Sequence, residues 1–147
     1  IKCLKATGID ISQKALEVCK INSKRLNLRS RLRLFKSDID KFDLGKYDLI
    51  VSNPPYICRS DLNNIMREVI DYEPKNALDG GIDGVFEIRK VVKKSSKLLK
   101  KGGKLVLEIG HNQKDKVIEM LKNNRFFIQK VIKDLGQNNR CITSIKI

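Results

Sequence analysis

Alternating strand and helix patterns predict an open α/β sheet, mostly parallel, that ends in a C-terminal antiparallel hairpin. Three observations carry this expectation. Short apolar runs bounded by polar residues recur along the chain, stretches of helical periodicity separate the first from the second, the third from the fourth and the fourth from the fifth, and only a short polar linker separates the last two. The 147 residues suit one domain, and a hydrophobic content of 41% is enough for an ordinary core.

The first strand spans Lys2 to Ile9 and runs into Asp10, after which Ser12 is placed to cap a helix from Gln13 to about Leu26. Arg31 to Lys36 forms a short second strand that ends at Asp38. Tyr47 to Ser52 is a continuous apolar run of the kind found in a buried parallel strand. From Ile57 to Asp83 the pattern is irregular, with a helical turn or two around Leu62 to Val69. Ile88, Val91, Val92, Ser95, Leu98 and Leu99 then share one face of an amphipathic helix, which Gly102-Gly103 is expected to end. Lys104 to Ile109 is the fourth strand, Gln113 to Asn123 a helix, and Phe126 to Ile132 the fifth strand. Beyond Gly136-Gln137-Asn138-Asn139, the segment Cys141 to Ile147 alternates as the sixth. No repeat, low-complexity tract or linker divides the chain.

Thirty-one Lys and Arg stand against 17 Asp and Glu, and 31 − 17 gives +14, a balance that points toward a polyanionic partner. The lysines are spread through nearly every segment and aromatic residues make up 5%, so nucleic acid is a possible partner but not the favoured one. The joint abundance of Lys, Ile and Asn also fits a compositional bias. Cys3, Cys19, Cys58 and Cys141 lack metal-knuckle or redox spacing, and His111 is the sole histidine, so no metal site is expected. No run is long enough to span a membrane and no signal-peptide pattern is present, which gives the expectation of a soluble, cytoplasmic protein.

The chemistry is concentrated in Asn53-Pro54-Pro55-Tyr56. Pro54 and Pro55 lack a backbone N–H and have fixed φ, and Pro54 keeps Asn53 out of the helical region. The Asn53 side chain and the Pro54 carbonyl are thereby left to face a ligand, although Asn-Pro is also an ordinary turn signal. In open α/β sheets ligands bind outside the carboxyl ends of the strands, and Asp10, Asp38, Asn53 and Glu108 all sit at such ends. Asp10 is placed to accept both hydroxyls of a ribose. Asp38 could equally cap the helical turn that follows, and Glu108 is either a site residue or a structural acid.

These residues resemble the class I, Rossmann-like, S-adenosylmethionine-dependent methyltransferases, and within them the release-factor glutamine methyltransferases. The resemblance rests on Gly8 to Ser12, Ala15-Leu16, Ser37-Asp38, Tyr47 to Ile57, Tyr72-Glu73-Pro74, Ala77 to Gly81, Asp83-Gly84, Leu107 to Gly110 with Gln113, and Asp134 with Gly136 and Arg140. It covers nearly the whole chain, so 1–147 is read as a partial methyltransferase catalytic domain. Asn-Pro-Pro-Tyr is shared with N6-adenine methyltransferases; the Glu-Pro and Ala-Leu-Asp-Gly-Gly elements favour the glutamine branch.

The resemblance implies S-adenosylmethionine as cofactor, with Asp10 and Ile11 near its ribose, Asp38 and Ile39 near its adenine, and Asn53 at the methyl-transfer end. Asn53, Pro54 and Tyr56 would be the catalytic residues. Asn53 to Tyr56, with Glu73 and Pro74, would bind a glutamine amide of a peptide chain release factor, in its Gly-Gly-Gln loop. Asp134, Gly136 and Arg140 would fix the loop between the last two strands. The family's strand order, 3-2-1-4-5-7-6, includes a central first strand followed by a glycine-rich cofactor loop. That strand, its helix and its loop are missing from these residues, and the family's N-terminal helical domain is too. The expectation is a C-terminal fragment, inactive by itself. The alternatives are an N6-adenine nucleic-acid methyltransferase and a truncated, non-catalytic paralogue.

Overall fold

The computed structural model describes residues 4–62, 74 and 77–147. They form two compact units, Ile1–Asp43 and Leu44–Ile147. The turns expected around Leu62 to Val69 lie almost wholly outside the described residues.

In the first unit, β1 (Ala6–Asp10) pairs in parallel with β2 (Leu32–Lys36), from Ala6 opposite Leu32 to Asp10 opposite Lys36. The connection is α1 (Gln13–Arg25). Ser12 caps it as expected, its Oγ accepting from the Ala15 N–H at 3.3 Å, and Lys24 and Arg25 complement the negative end of the helix dipole. Leu16 and Ser23 of α1 are buried. Phe42 is also buried, its ring centroid 5.7 Å from that of Phe35. The first strand is shorter than expected, because Leu4 and Lys5 precede the pairing and are exposed.

In the second unit, four strands run in the order β3 (Tyr47–Ser52), β4 (Leu99–Glu108), β6 (Asn139–Lys146), β5 (Phe126–Lys133). β3 and β4 are parallel, and β6 is antiparallel to both β4 and β5, so the expected C-terminal hairpin is present. Helices α2 (Phe86–Leu98) and α3 (Lys114–Asn123) complete the unit. Ile88, Val91, Val92 and Leu98 of α2 join Val117 and Leu121 of α3 in a core with Leu105, Leu107, Ile109, Phe126 and Ile142. Each fully buried aliphatic side chain stabilises the fold by about 1.5–3 kcal/mol.

Two expectations need correction. Gly102-Gly103 does not end α2: the helix stops at Leu98, and the glycines lie inside β4. There Tyr47 faces Leu99 whereas Leu49 faces Lys104, so the extra residues of β4 loop out, and Gly102 supplies the positive φ of +79° that the reversal needs. Nor is β3 buried on both faces. It is the edge strand of its sheet, with Leu49 51% and Val51 68% exposed. An apolar run does not say which faces of a strand are covered, and among the described residues β3 pairs on one side only, with β4.

Candidate functional site

β3 delivers Asn53 just past its carboxyl end. Asn53 is exposed, and no described residue hydrogen-bonds its side-chain amide, while Pro54 is buried and Pro55 and Tyr56 are half-buried. Because neither proline can donate to a ladder, the strand has to stop here. The rest of the unit then fixes the tetrapeptide from its Tyr56 end.

The Tyr56 hydroxyl donates to Glu108 Oε1 at 3.1 Å and accepts from Arg140 Nη1 at 3.5 Å, with the Arg140 guanidinium carbon 5.8 Å from the ring centroid. Arg140 is held in turn by Asp134 Oδ2, at 3.2 Å from both Nε and Nη2, and Nη1 also donates to the Ile109 carbonyl at 3.3 Å. Burial, reinforced by the Glu108 charge and hydrogen bond, pushes the Tyr56 phenol up, and Arg140 opposes this only in part. Tyr56 is therefore a neutral donor to Glu108, and its ring is set from behind.

Gln113, which is almost fully buried, reaches the same loop. Its Nε2 donates to the carbonyls of Tyr56 at 2.8 Å and Gly84 at 3.0 Å, and its Oε1 accepts from the Gly110 N–H at 2.9 Å. Such close packing requires glycine at 84, where φ is +69° and a Cβ would lie 2.7 Å from Gln113 Nε2.

The Ala77–Gly81 element clasps the chain beyond Tyr56. Ile57 N–H donates to the Leu78 carbonyl at 3.1 Å and Gly80 N–H to the Ile57 carbonyl at 2.8 Å. Arg59 binds Asp79 Oδ2 through Nε at 3.1 Å and Nη2 at 3.0 Å, while Asp79 Oδ1 accepts from Gly81 N–H at 2.8 Å. Beside Tyr56 lies a cavity of about 470 Å³, whose walls include Asp83, His111, Lys116 and Arg140.

The first unit brings Asp10 and Asp38 to the carboxyl ends of its two neighbouring strands. Asp10 Oδ1 accepts from Ser12 N–H at 2.7 Å, and the Asp10 carbonyl from Ser37 N–H at 3.0 Å. Ile11 beside it is 56% exposed. Asp38 Oδ1 caps the turn Ile39–Lys41 through Asp40 N–H at 3.0 Å, so its capping role is present, and Ile39 is half-buried. Glu73 lies outside the described residues. Pro74 is exposed, and its carbonyl accepts from Ala77 N–H at 2.7 Å.

The Asp134–Arg140 pairing fixes the β5–β6 turn as expected, with Asp134 Oδ1 also accepting from Asn138 N–H at 3.0 Å. Sequence reasoning missed that Arg140 continues to Tyr56 and that Gln113 locks three segments together. Gly110-x-x-Gln113 was visible as part of the resemblance, yet nothing in the spacing said what the glutamine touches.

An α/β sheet with polar residues at its strand ends and an Asn-Pro-Pro-Tyr turn defines a class I, Rossmann-like methyltransferase fold. A family model described as a methyltransferase domain matches residues 3–144, and the chain belongs to that family. Among curated proteins it is 40% identical to a release factor glutamine methyltransferase of Fusobacterium nucleatum, over 99% of this chain and 42% of that protein. It is 37% identical to one of Clostridium acetobutylicum, over 93% and 49%. The chain thus spans somewhat under half the length of these relatives. Among solved structures, a methyltransferase from Pyrococcus furiosus superposes with a TM-score of 0.69 at 20% identity, over 97% of this chain and 62% of that one. TrmN from Thermus thermophilus gives 0.64 at 18%, over 97% and 36%.

Proposed function

We propose that the chain is the catalytic portion of an S-adenosylmethionine-dependent methyltransferase that modifies a glutamine amide nitrogen in the Gly-Gly-Gln loop of a peptide chain release factor. The observation that carries this reading is the exposed Asn53 amide, unbonded among the described residues, beside a buried Pro54 on a loop pinned at Tyr56 by Glu108, Arg140 and Gln113. An amide nitrogen is almost non-nucleophilic because its lone pair is delocalised. Asn53 Oδ1 and the Pro54 carbonyl accept its two N–H groups, orient it and raise electron density on nitrogen, while the Tyr56 ring lies against the amide plane. Pro55, Glu73 and Pro74 form the wall around the glutamine, and the proton leaves to water. Glu108 acts through Tyr56, as an anchor for its hydroxyl.

The residues present fit the nucleoside end of the cofactor. Asp10 keeps a second carboxylate oxygen beyond the one bonded to Ser12, for the ribose hydroxyls, and Ile11, Asp38 and Ile39 flank the adenine. When bound, the cofactor supplies a sulfonium methyl group, electrophilic enough for an activated amide. Gly8 cannot stand in for the family's glycine-rich loop, because a Cβ there would lie only 2.9 Å from Leu34 Cδ2, inside the packed strand pair. The isolated chain is accordingly inactive, a reading that micromolar binding of labelled cofactor to it would overturn.

The test of substrate is incubation of the full-length enzyme with release factor and labelled cofactor. Label on the Gly-Gly-Gln glutamine is the expected result. Label absent there but present on DNA or RNA would replace the reading with adenine methylation, whose amine the same two acceptors suit.

A further inference from the structure

The geometry points to a second functional surface on the Leu44–Ile147 unit: a cationic platform that docks the phosphate backbone of a nucleic acid, at the opposite end of the sheet from Asn53. Residues 88–107 contain eight Lys or Arg and no Asp or Glu, the densest such stretch in the chain. In sequence these lysines look like scattered pairs. The fold gathers Lys93, Lys97, Lys100, Lys101 and Lys104 where α2 ends, β4 loops out at Gly102 and β3 begins, whereas Arg89 and Lys90 near the start of α2 pair with Asp83 and Glu87, and Lys94 is buried.

The gathering can be traced contact by contact. Lys93 and Lys97 lie one helical turn apart on α2 and are exposed. Lys46, immediately before β3, donates through Nζ to the Lys97 carbonyl, which brings a cation from a distant part of the chain onto the end of the helix. Lys100 and Lys101 follow in the loop, and Lys104 resumes the strand, all three exposed. The acid that meets this group is Asp48, 2.8 Å from Lys100 Nζ, and at 83% exposure it screens little of the charge.

The chemistry of the platform selects its partner. Ile88, Val91, Val92, Leu98, Leu99, Leu105 and Leu107 are buried, and the exposed apolar groups beside the lysines, Leu44 and Leu49, are isolated side chains rather than the continuous apolar face that enters a lipid layer. The exposed members of the platform are lysines, not the aromatic and arginine anchors that carry most of the energy of protein–protein interfaces. Tyr47 is half-buried with its hydroxyl tied to the Leu44 carbonyl, so the exposed lysines have no free ring beside them to stack on bases and no bidentate side chain to read their edges. Lysine charges contacting phosphates without regard to sequence are what remains. This surface stands independently of the glutamine reading.

The experiment measures binding of a short duplex RNA as a function of salt. With about four phosphates engaged, affinity should fall roughly a hundredfold between about 50 and 200 mM salt. The variant Lys93→Gln, Lys97→Gln, Lys100→Gln, Lys101→Gln should bind at least about tenfold more weakly with a much shallower salt slope. A charge-matched control, Lys14→Gln, Lys20→Gln, Lys24→Gln, Lys36→Gln, should stay within about twofold of the parent. Equal losses in both variants would show that bulk charge alone is at work and would overturn the proposal. So would salt-insensitive binding, or tighter binding to phosphatidylglycerol vesicles or polyglutamate than to the duplex.

Discussion

Replacing Gln113 by leucine keeps the volume of the side chain and removes all three of its hydrogen bonds. The carbonyls of Tyr56 and Gly84 and the N–H of Gly110 then lose partners that stand at 2.8, 3.0 and 2.9 Å. A buried polar group left unpaired costs about 1–3 kcal/mol, and Gly84 and Gly110 are both buried. Tyr56 is half-buried, so water partly replaces its partner. The expected loss is about 3 kcal/mol, a large share of the 5–15 kcal/mol that holds a typical domain together. Urea unfolding followed by circular dichroism measures it, and amide exchange localises it, with Gly110 losing protection in the variant. Gln113→Glu adds a check of sign. Its carboxylate faces two carbonyl oxygens, so burial and those dipoles raise its pKa, and the variant should be least stable at neutral pH and recover as acid restores a donor. A Gln113→Leu protein within about 0.5 kcal/mol of the parent would refute the idea that this side chain fastens the loop.

Other perturbations test separate parts of the structure. Asp83, lowered to about 2 chiefly by its hydrogen bond to Lys116, with Val85 N–H and Arg89 helping, stabilises the fold above pH 4 and loses that contribution as pH falls through about 2. Asp83→Asn should therefore cost about 0.5 kcal/mol at neutral pH after solvent screening, and parent and variant should converge in stability below pH 2. The Tyr56 phenol is raised above its ordinary value of 10.0, so its contribution is complete below pH 10 and is lost as pH climbs through the folded value. Ultraviolet titration of Tyr56→Phe should lack a late-ionising phenol that the parent shows. Ser144 Oγ is buried without a hydrogen-bond partner among the described residues, and Ser144→Ala should raise stability by about 0.5–1 kcal/mol in thermal or urea melts.

Elements whose signals are local were legible in the sequence. Ser12 caps α1, the buried face of α2 matches its periodicity, and β5 and β6 pair across the polar turn. What the sequence misplaced depends on neighbours. Gly102-Gly103 reads as a helix stop because glycine ends helices, but β4 had already begun at Leu99 through its pairing with Tyr47. Of the candidate site, Asn53 and the prolines announced themselves through backbone chemistry. Gln113 and Arg140 did not, since side chains acting across 57 and 84 residues leave no spacing to read.

The position of β6 has a consequence for how the chain comes to be folded. It is the last of the described strands in sequence, yet it lies between β4 and β5 and bonds to both. β4 and β5 are synthesised earlier and have no direct pairing with each other, so each waits with an open edge until Asn139–Lys146 emerges. Arg140, at the start of that strand, also supplies the contact to Tyr56. The Asn53-Pro54-Pro55-Tyr56 loop leaves the ribosome before Arg140 does and acquires this anchor only afterwards. Assembly of this sheet is thus a closing event dominated by distant pairings, a class of topology that folds slowly. Without Asn139–Lys146 the tetrapeptide would be present and the frame that holds it absent.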